Sequence, residues 1–356
     1  MHHDPRAIQR FFQSLPSVLD VSTISHLHLV HWPLNQWPVG HTLKEMGFAG
    51  KLTIARISTQ AMAKADGFQT IQAHDHPTAN EPATHILMEL PQGREAAKLA
   101  VEEALKALPP TGKLWVFGDK ESGILPLPKK IAQARNVLSK GHLKLVEIPA
   151  GSQWQEKPSK KQQKRPDLSD DGCFHHYSTD EITVATRPGL FSWAEPDPAS
   201  LMLLEALQGH AAYHLLDWGC GCGLIGTTLA KREPTLQVTL SDDMVRATLC
   251  SAETAQLNGV TERCHMVLED GIGSILQRQS FDTVVTNPPF HRGQSLNRAV
   301  AERFIQHATE ILERKGTLWL VANGFLDYGP LLKEAFATVE VALRDTKFVV
   351  WKATKK

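Results

Sequence analysis

Short apolar runs recur along the chain, separated by stretches in which apolar side chains return at helical spacing. The first pattern predicts buried strands and the second predicts helices. In the first half the clearest unit is a strand over residues 85–88, a helix over 94–108 and a strand over 113–117. This is a β-α-β pattern, in which Pro109-Pro110-Thr111-Gly112 ends the helix and residues 118–123 form the loop after the second strand. In the second half the alternation is stronger, with strands predicted at 212–217, 236–241, 264–268, 281–286, 317–322 and 347–351. Helices are predicted at 224–232, 244–258 and 300–314, with Asn258-Gly259 and Lys315-Gly316 as stop signals. The expected fold class is α/β, with two such domains in tandem over residues 1–155 and 173–356. The second has a doubly wound sheet, in which ligands bind beyond the carboxyl ends of the strands, and the first reads as an α/β domain without a catalytic site.

Between these domains the pattern lapses. Over residues 156–172, Lys157, Lys160, Lys161, Lys164 and Arg165 crowd together with proline and glutamine, and Asp167, Asp170 and Asp171 follow. This stretch reads as a polar linker. Although a basic cluster can touch phosphates, the acidic residues directly behind it favour a solvated hinge.

Charge and cysteine content narrow the class. The 356 residues carry 38 basic and 38 acidic side chains, which excludes a uniformly basic nucleic-acid binder while leaving room for a local patch. Five cysteines, an odd number, with no secretory leader and no apolar run approaching the ~20 residues of a membrane span, predict reduced thiols and a cytoplasmic protein. Cys220 and Cys222 lack a second cysteine or histidine pair at zinc spacing, so no metal is expected.

Candidate chemistry sits in the second half. The strand ending at Asp217 runs into Trp218-Gly219-Cys220-Gly221-Cys222-Gly223, where glycines let the backbone come close to a ligand. A methyl donor and a dinucleotide both fit such a turn, but the third glycine is one residue short of the dinucleotide fingerprint. Asp242, about twenty residues further on at a strand end, can accept hydrogen bonds from both ribose hydroxyls. Asp243 is a possible substitute, and a helix N-cap is the bland role. Asp270 is placed for the adenine amino group, with Glu269 its rival and an ordinary loop aspartate the alternative. Phe191 is a candidate to close over the cofactor, or a core residue.

The run Asn287-Pro288-Pro289-Phe290 decides the chemistry. The asparagine side chain and the Pro288 carbonyl can accept the two hydrogens of a planar NH2 group, and Phe290 offers a ring for stacking on an unpaired or flipped base. Pro289 completes the stop of the strand. His291 and Arg292 follow and can touch substrate phosphate or base edge, a solvated loop pair being the alternative. Asn323 and Phe325, after the fifth strand, are candidates for the pocket rim.

Residues 215–223, Asp242, Asp270 and Asn287-Pro288-Pro289-Phe290 together resemble class I S-adenosylmethionine-dependent methyltransferases of the amino-methylating branch. More narrowly, Pro188-Gly189-Leu190-Phe191-Ser192, Pro289-Phe290-His291-Arg292-Gly293 and Val321-Ala322-Asn323-Gly324-Phe325-Leu326 are similar to the ribosomal RNA small-subunit methyltransferase C family. A large-subunit guanine-N2 methyltransferase, type G, is nearly as similar. The resemblance covers residues 173–356 and extends more weakly into the first half through Leu108-Pro109 and residues 117–123. The chain departs from the family at Trp193 and at Glu195-Pro196-Asp197-Pro198, where the family has a more polar loop and a glycine; Asp197 matches the family's aspartate.

The resemblance implies two Rossmann-like methyltransferase domains, the first degenerate, lacking the cofactor motifs and serving RNA docking or structural support. It implies S-adenosylmethionine as cofactor and the exocyclic N2 of a 16S ribosomal RNA guanine, guanine 1207, as target. The implied partner is ribosomal RNA within the 30S subunit, and the protein is expected to be a monomer with no membrane contact. Competing readings are a 23S guanine-N2 enzyme, a methyltransferase of protein glutamine or DNA adenine N6, and a non-catalytic ribosome-assembly protein that binds RNA. The last is disfavoured because every cofactor position carries a suitable residue.

Overall fold

A computed structural model describes residues 5–29, 39–57, 60–65, 67–68, 71–73, 75, 83–155, 174–271, 280–288 and 294–356. The chain divides into two compact units, Met1–Arg165 and Pro166–Lys356. The expected linker lies outside the described residues.

In the first unit the strands are β1 (His26–Leu29), β2 (Lys51–Ile54), β3 (Ile71–Ala73), β4 (His85–Glu89), β5 (Lys113–Gly118), β6 (Arg135–Lys140) and β7 (Leu143–Pro149). The helices are α1 (Pro5–Phe12), α2 (Val39–Glu45), α3 (Gln60–Ala65), α4 (Arg94–Lys106) and α5 (Leu127–Lys130). The sheet runs β3-β2-β1-β4-β5-β7-β6, parallel from β3 to β5 and antiparallel where β7 joins β5 and β6.

The second unit opens with an antiparallel pair, β8 (His175–Ser178) and β9 (Thr183–Thr186). There follow α6 (Pro198–Ala206), β10 (His214–Trp218), α7 (Leu224–Arg232), β11 (Gln237–Asp242), α8 (Val245–Leu257), β12 (Cys264–Leu268) and β13 (Phe281–Thr286). The unit closes with α9 (Gln294–Ile311), β14 (Leu312–Asn323), α10 (Gly329–Ala335), β15 (Thr338–Arg344) and β16 (Phe348–Thr354). Its main sheet runs β12-β11-β10-β13-β14-β16-β15, so position for position the strand order repeats that of the first unit. This is the tandem α/β architecture expected from the residues.

The central strands of the second unit are buried on both faces. Leu215 and Val285 pack into one core layer with Leu203, Val238, Leu240 and Ala247, while their neighbours Leu216 and Val284 pack into the other with Ile305, Ala308, Leu318 and Leu332. Alternate side chains thus serve opposite layers, which is why these strands read as continuous apolar runs. The outer elements were less visible. β15 is an edge strand with mostly exposed side chains, and it gave no expectation. The helix expected over 300–314 spans Gln294–Ile311 instead. Lys315-Gly316, expected to stop it, lies inside β14, where Lys315 adopts a φ of 65°.

Candidate active site

The glycine turn leaves β10 at the centre of the sheet and is tied down from three sides. The amides of Gly219 and Cys220 donate to the Ser241 carbonyl at the end of β11, at 2.8 and 3.0 Å. The Gly221 amide donates to Asp242 Oδ2 at 3.0 Å, and Ser251 Oγ of α8 donates to the Gly221 carbonyl at 3.0 Å. All three glycines have left-handed φ, 74° at Gly219, 56° at Gly221 and 78° at Gly223, a region costly for residues with a Cβ. They differ in their surroundings. A Cβ on Gly223 would stand 3.1 Å from the Ser251 Cα, whereas on Gly219 or Gly221 it would meet nothing within 4 Å among the described residues. Gly223 therefore serves packing, and Gly219 and Gly221 present backbone free of close contacts among the described residues, where a ligand's atoms can approach.

Asp217 and Asp242 were both expected to bind cofactor, and the structure separates them. The Asp217 carboxylate is 1% exposed and accepts the Gly226 amide of α7 at 2.8 Å, so it braces the turn from beneath. Burial pushes its pKa up to about 7; the Gly226 amide opposes that rise, and the charge of Asp242 adds to it. Asp242 is half-buried and holds two main-chain amides, Gly221 through Oδ2 and Met244 through Oδ1 at 2.9 Å. The N-cap position of α8 belongs to Met244, so Asp242 instead couples the glycine turn to the entry of that helix.

At the end of β13, Thr286 Oγ1 donates to the Trp218 carbonyl at 2.8 Å, which fixes Asn287 beside the turn. The Asn287 amide nitrogen donates to Asp197 Oδ2 at 2.9 Å and to Ser200 Oγ at 3.1 Å. The same Asp197 oxygen accepts the Ser200 amide at 2.8 Å and the Ser200 hydroxyl at 3.0 Å, making Asp197 the N-cap of α6. With its nitrogen directed at a carboxylate, the Asn287 side chain turns its carbonyl oxygen the other way. That oxygen has no hydrogen-bond partner among the described residues.

Among the other candidates, Asp270 is exposed in the bend after β12, while Asp243 and Glu269 are half-buried. Phe191 is 54% exposed, which excludes the core role, and it lies two residues after Gly189, whose φ is 103°. Asn323 ends β14 and Phe325 is 80% exposed just beyond it. Pro288 is buried, while Pro289, Phe290, His291 and Arg292 lie outside the described residues. The Asp197–Ser200 grip on Asn287 was not anticipated. Its sequence signal is an aspartate followed by proline and, three positions on, serine: an N-cap, a first-turn proline and a capping partner.

A doubly wound sheet with a glycine turn after its central strand, an acidic residue ending the next strand and Asn-Pro-Pro-Phe ending the strand on the other side defines a methyltransferase domain. In agreement, residues 181–352 match the methyltransferase small domain family. The ribosomal RNA small subunit methyltransferase C of Hahella chejuensis is 30% identical over 274 residues, covering 76% of this chain and 77% of that one. The protein of the same name from Pseudoalteromonas atlantica is 30% identical over 309 residues, 82% of this chain and 83% of its own. The chain belongs to the ribosomal RNA small subunit methyltransferase C family. In fold it also resembles the 16S rRNA N2 guanine 1207 methyltransferase of T. thermophilus, solved with AdoMet and guanosine. The TM-score is 0.73 at 24% identity, covering 96% of this chain and 92% of that one.

Proposed function

We propose that the second unit transfers a methyl group from S-adenosylmethionine to the exocyclic N2 of a guanine in 16S ribosomal RNA, at the position of guanine 1207. The reading is supported by family membership and by the name of the T. thermophilus protein that shares the fold. The observation that carries it is the side chain of Asn287, whose nitrogen is held by Asp197 and Ser200 while its carbonyl is left to accept a hydrogen from substrate.

The residues present fit the cofactor. A Cβ at Gly219 or Gly221 would meet no described atom within 4 Å, which allows close backbone approach, and Asp242 brings a carboxylate, an acceptor for ribose hydroxyls, to the end of the neighbouring strand. Asp242, with Asp270 and Phe191 further out, would hold its ribose, adenine and outer edge; Asp217 acts through the shape of the turn. When bound, S-adenosylmethionine supplies an electrophilic methyl group.

Guanine N2 is a weak nucleophile because its lone pair is delocalised into the ring. Acceptance of its two hydrogens by the Asn287 carbonyl and the Pro288 main-chain carbonyl favours a pyramidal nitrogen and aims the lone pair along one direction. As positive charge develops on N2, the same two acceptors stabilise it, and the surplus proton passes to water. Phe290 stacks on the extruded base, and Pro289, His291 and Arg292 complete the substrate side. The first unit serves as an RNA-docking or supporting platform. The substrate is placed within the 30S particle, with the protein acting as a cytoplasmic monomer. No described helix is long and apolar enough to cross a membrane.

The test is incubation of the protein and labelled S-adenosylmethionine with 30S and 50S particles from cells lacking the enzyme, followed by nucleoside mass spectrometry. N2-methylguanosine from 30S RNA is expected. The same nucleoside from 50S RNA would transfer the assignment to the large subunit, and absence of label from both would overturn it.

A further inference from the structure

We propose that Asp197 is a positioning residue for methyl transfer, one that sets the orientation of the Asn287 amide and strengthens its carbonyl as an acceptor; this rests on the substrate-gripping role of Asn287 above. An asparagine amide has two nearly isosteric ends, and only the carbonyl end can accept a hydrogen from an NH2 group. Free in a cleft, the side chain would present its own NH2 about as readily, and two donors would face each other. The structure removes that ambiguity. Asp197 is 8% exposed and Ser200 is 7% exposed, so the grip on the Asn287 nitrogen is sheltered from water. A sheltered carboxylate at 2.9 Å is an acceptor that the amide nitrogen satisfies and the amide oxygen cannot. Donation to the carboxylate polarises the N–H bond and pushes electron density onto the nitrogen and through the amide onto the far oxygen, which becomes a stronger acceptor where substrate docks.

Asp197 has a second task that complicates any deletion. One oxygen accepts the Ser200 amide, the Ser200 hydroxyl and the Asn287 nitrogen, so the residue caps α6 as well as orienting the site. Pro198 at the first helical position and the extended Asp197 backbone, φ −74° and ψ 125°, hold that cap in place. The two tasks can be separated by side-chain length. Serine is as good an N-cap as aspartate but is one atom shorter, so Asp197→Ser keeps the cap and gives up the reach to Asn287. Asp197→Asn keeps an oxygen at the shared position and loses only the charge.

The experiment measures single-turnover methylation of 30S particles, S-adenosylmethionine affinity by calorimetry and thermal melting for wild type, Asp197→Ser, Asp197→Asn and Ser200→Ala. For Asp197→Ser the expected result is a fall in turnover rate of about 30-fold or more, on the scale of one charge-assisted hydrogen bond. The KM for 30S and the cofactor affinity should stay within about threefold, since neither depends chiefly on this bond. Asp197→Asn, which keeps an acceptor oxygen and loses the charge, should recover only part of the lost rate and stay about threefold to tenfold below wild type, and Ser200→Ala, which removes the weaker of the two grips, should also lose about threefold to tenfold. If Asp197→Ser melts early, Asp197→Asn and Ser200→Ala carry the test, and wild-type rates in both overturn the proposal. Wild-type turnover in a folded Asp197→Ser also overturns it, as does a rate loss matched by an equal loss of cofactor affinity. Failure of the wild type to methylate 30S RNA would instead refute the functional reading, so the two failures are told apart.

Discussion

Replacing the three turn glycines one at a time by alanine should split stability from cofactor binding. Each has left-handed φ, so each alanine carries about 1–2 kcal/mol of backbone strain. Loss of unfolded-state freedom offsets about 0.4–1 kcal/mol of that. At Gly219 and Gly221 nothing described lies within 4 Å of the new Cβ, so net destabilisation should stay near about 0–1.5 kcal/mol. At Gly223 the Cβ meets the Ser251 Cα at 3.1 Å, and because that neighbour is backbone of a packed helix it cannot swing aside. Overpacking adds about 1–3 kcal/mol there, for a total of about 1–4.5 kcal/mol. Binding should rank the other way. A methyl group at Gly219 or Gly221 occupies the space proposed for cofactor, and a comparable clash predicts a loss of about 5–100-fold in S-adenosylmethionine affinity. Chemical denaturation and titration calorimetry on the three variants and wild type read both quantities. Cofactor affinity within about threefold of wild type in Gly219→Ala and Gly221→Ala would refute the cradle. Equal stability of all three variants would refute the packing role of Gly223.

Asn287→Ala should abolish methylation while leaving cofactor affinity nearly unchanged, since the side chain holds substrate; parallel loss of cofactor binding in calorimetry would contradict that. Asp242→Ala should weaken S-adenosylmethionine binding by roughly 1.5–3 kcal/mol for the charged ribose bond. It should also lower the melting temperature of the ligand-free protein, because the amides of Gly221 and Met244 lose their acceptor; unchanged affinity would move the ribose role to Asp243. Asp217 makes stability depend on pH. A carboxyl whose pKa is raised to about 7 in the folded state binds its proton more tightly there, so native stability falls as pH rises from about 4 to about 7, and the loss is complete above that. Asp217→Asn keeps an acceptor for the Gly226 amide and removes this dependence. Its stability relative to wild type should therefore rise across that interval, by at most about 4 kcal/mol, and a flat difference in urea melts at pH 5 and pH 8 would exclude the effect.

The sequence by itself determined the alternation of strands and helices, the glycine turn, and the motif at the end of β13. These are local matters. A strand buried on both faces must be apolar throughout, a left-handed turn needs glycine, and a pair of prolines must end a ladder. Elements that do not bury an apolar face escaped, as the exposed edge strand β15 shows, and so did the end of α9, where Lys315-Gly316 bends a strand instead of stopping a helix. The division of labour within the site was equally hidden. Asp217 and Asp242 are both aspartates ending strands, yet one is sealed beneath the turn and the other couples it to α8, a difference set by which helix packs over each. Only the tertiary structure could bring Asp197 and Ser200 onto Asn287, ninety and eighty-seven residues away along the chain. A hydrogen bond across that separation leaves no periodicity to read. It exists because the fold brings the first turn of α6, with the buried Asp197 and Ser200, to the residue that follows β13.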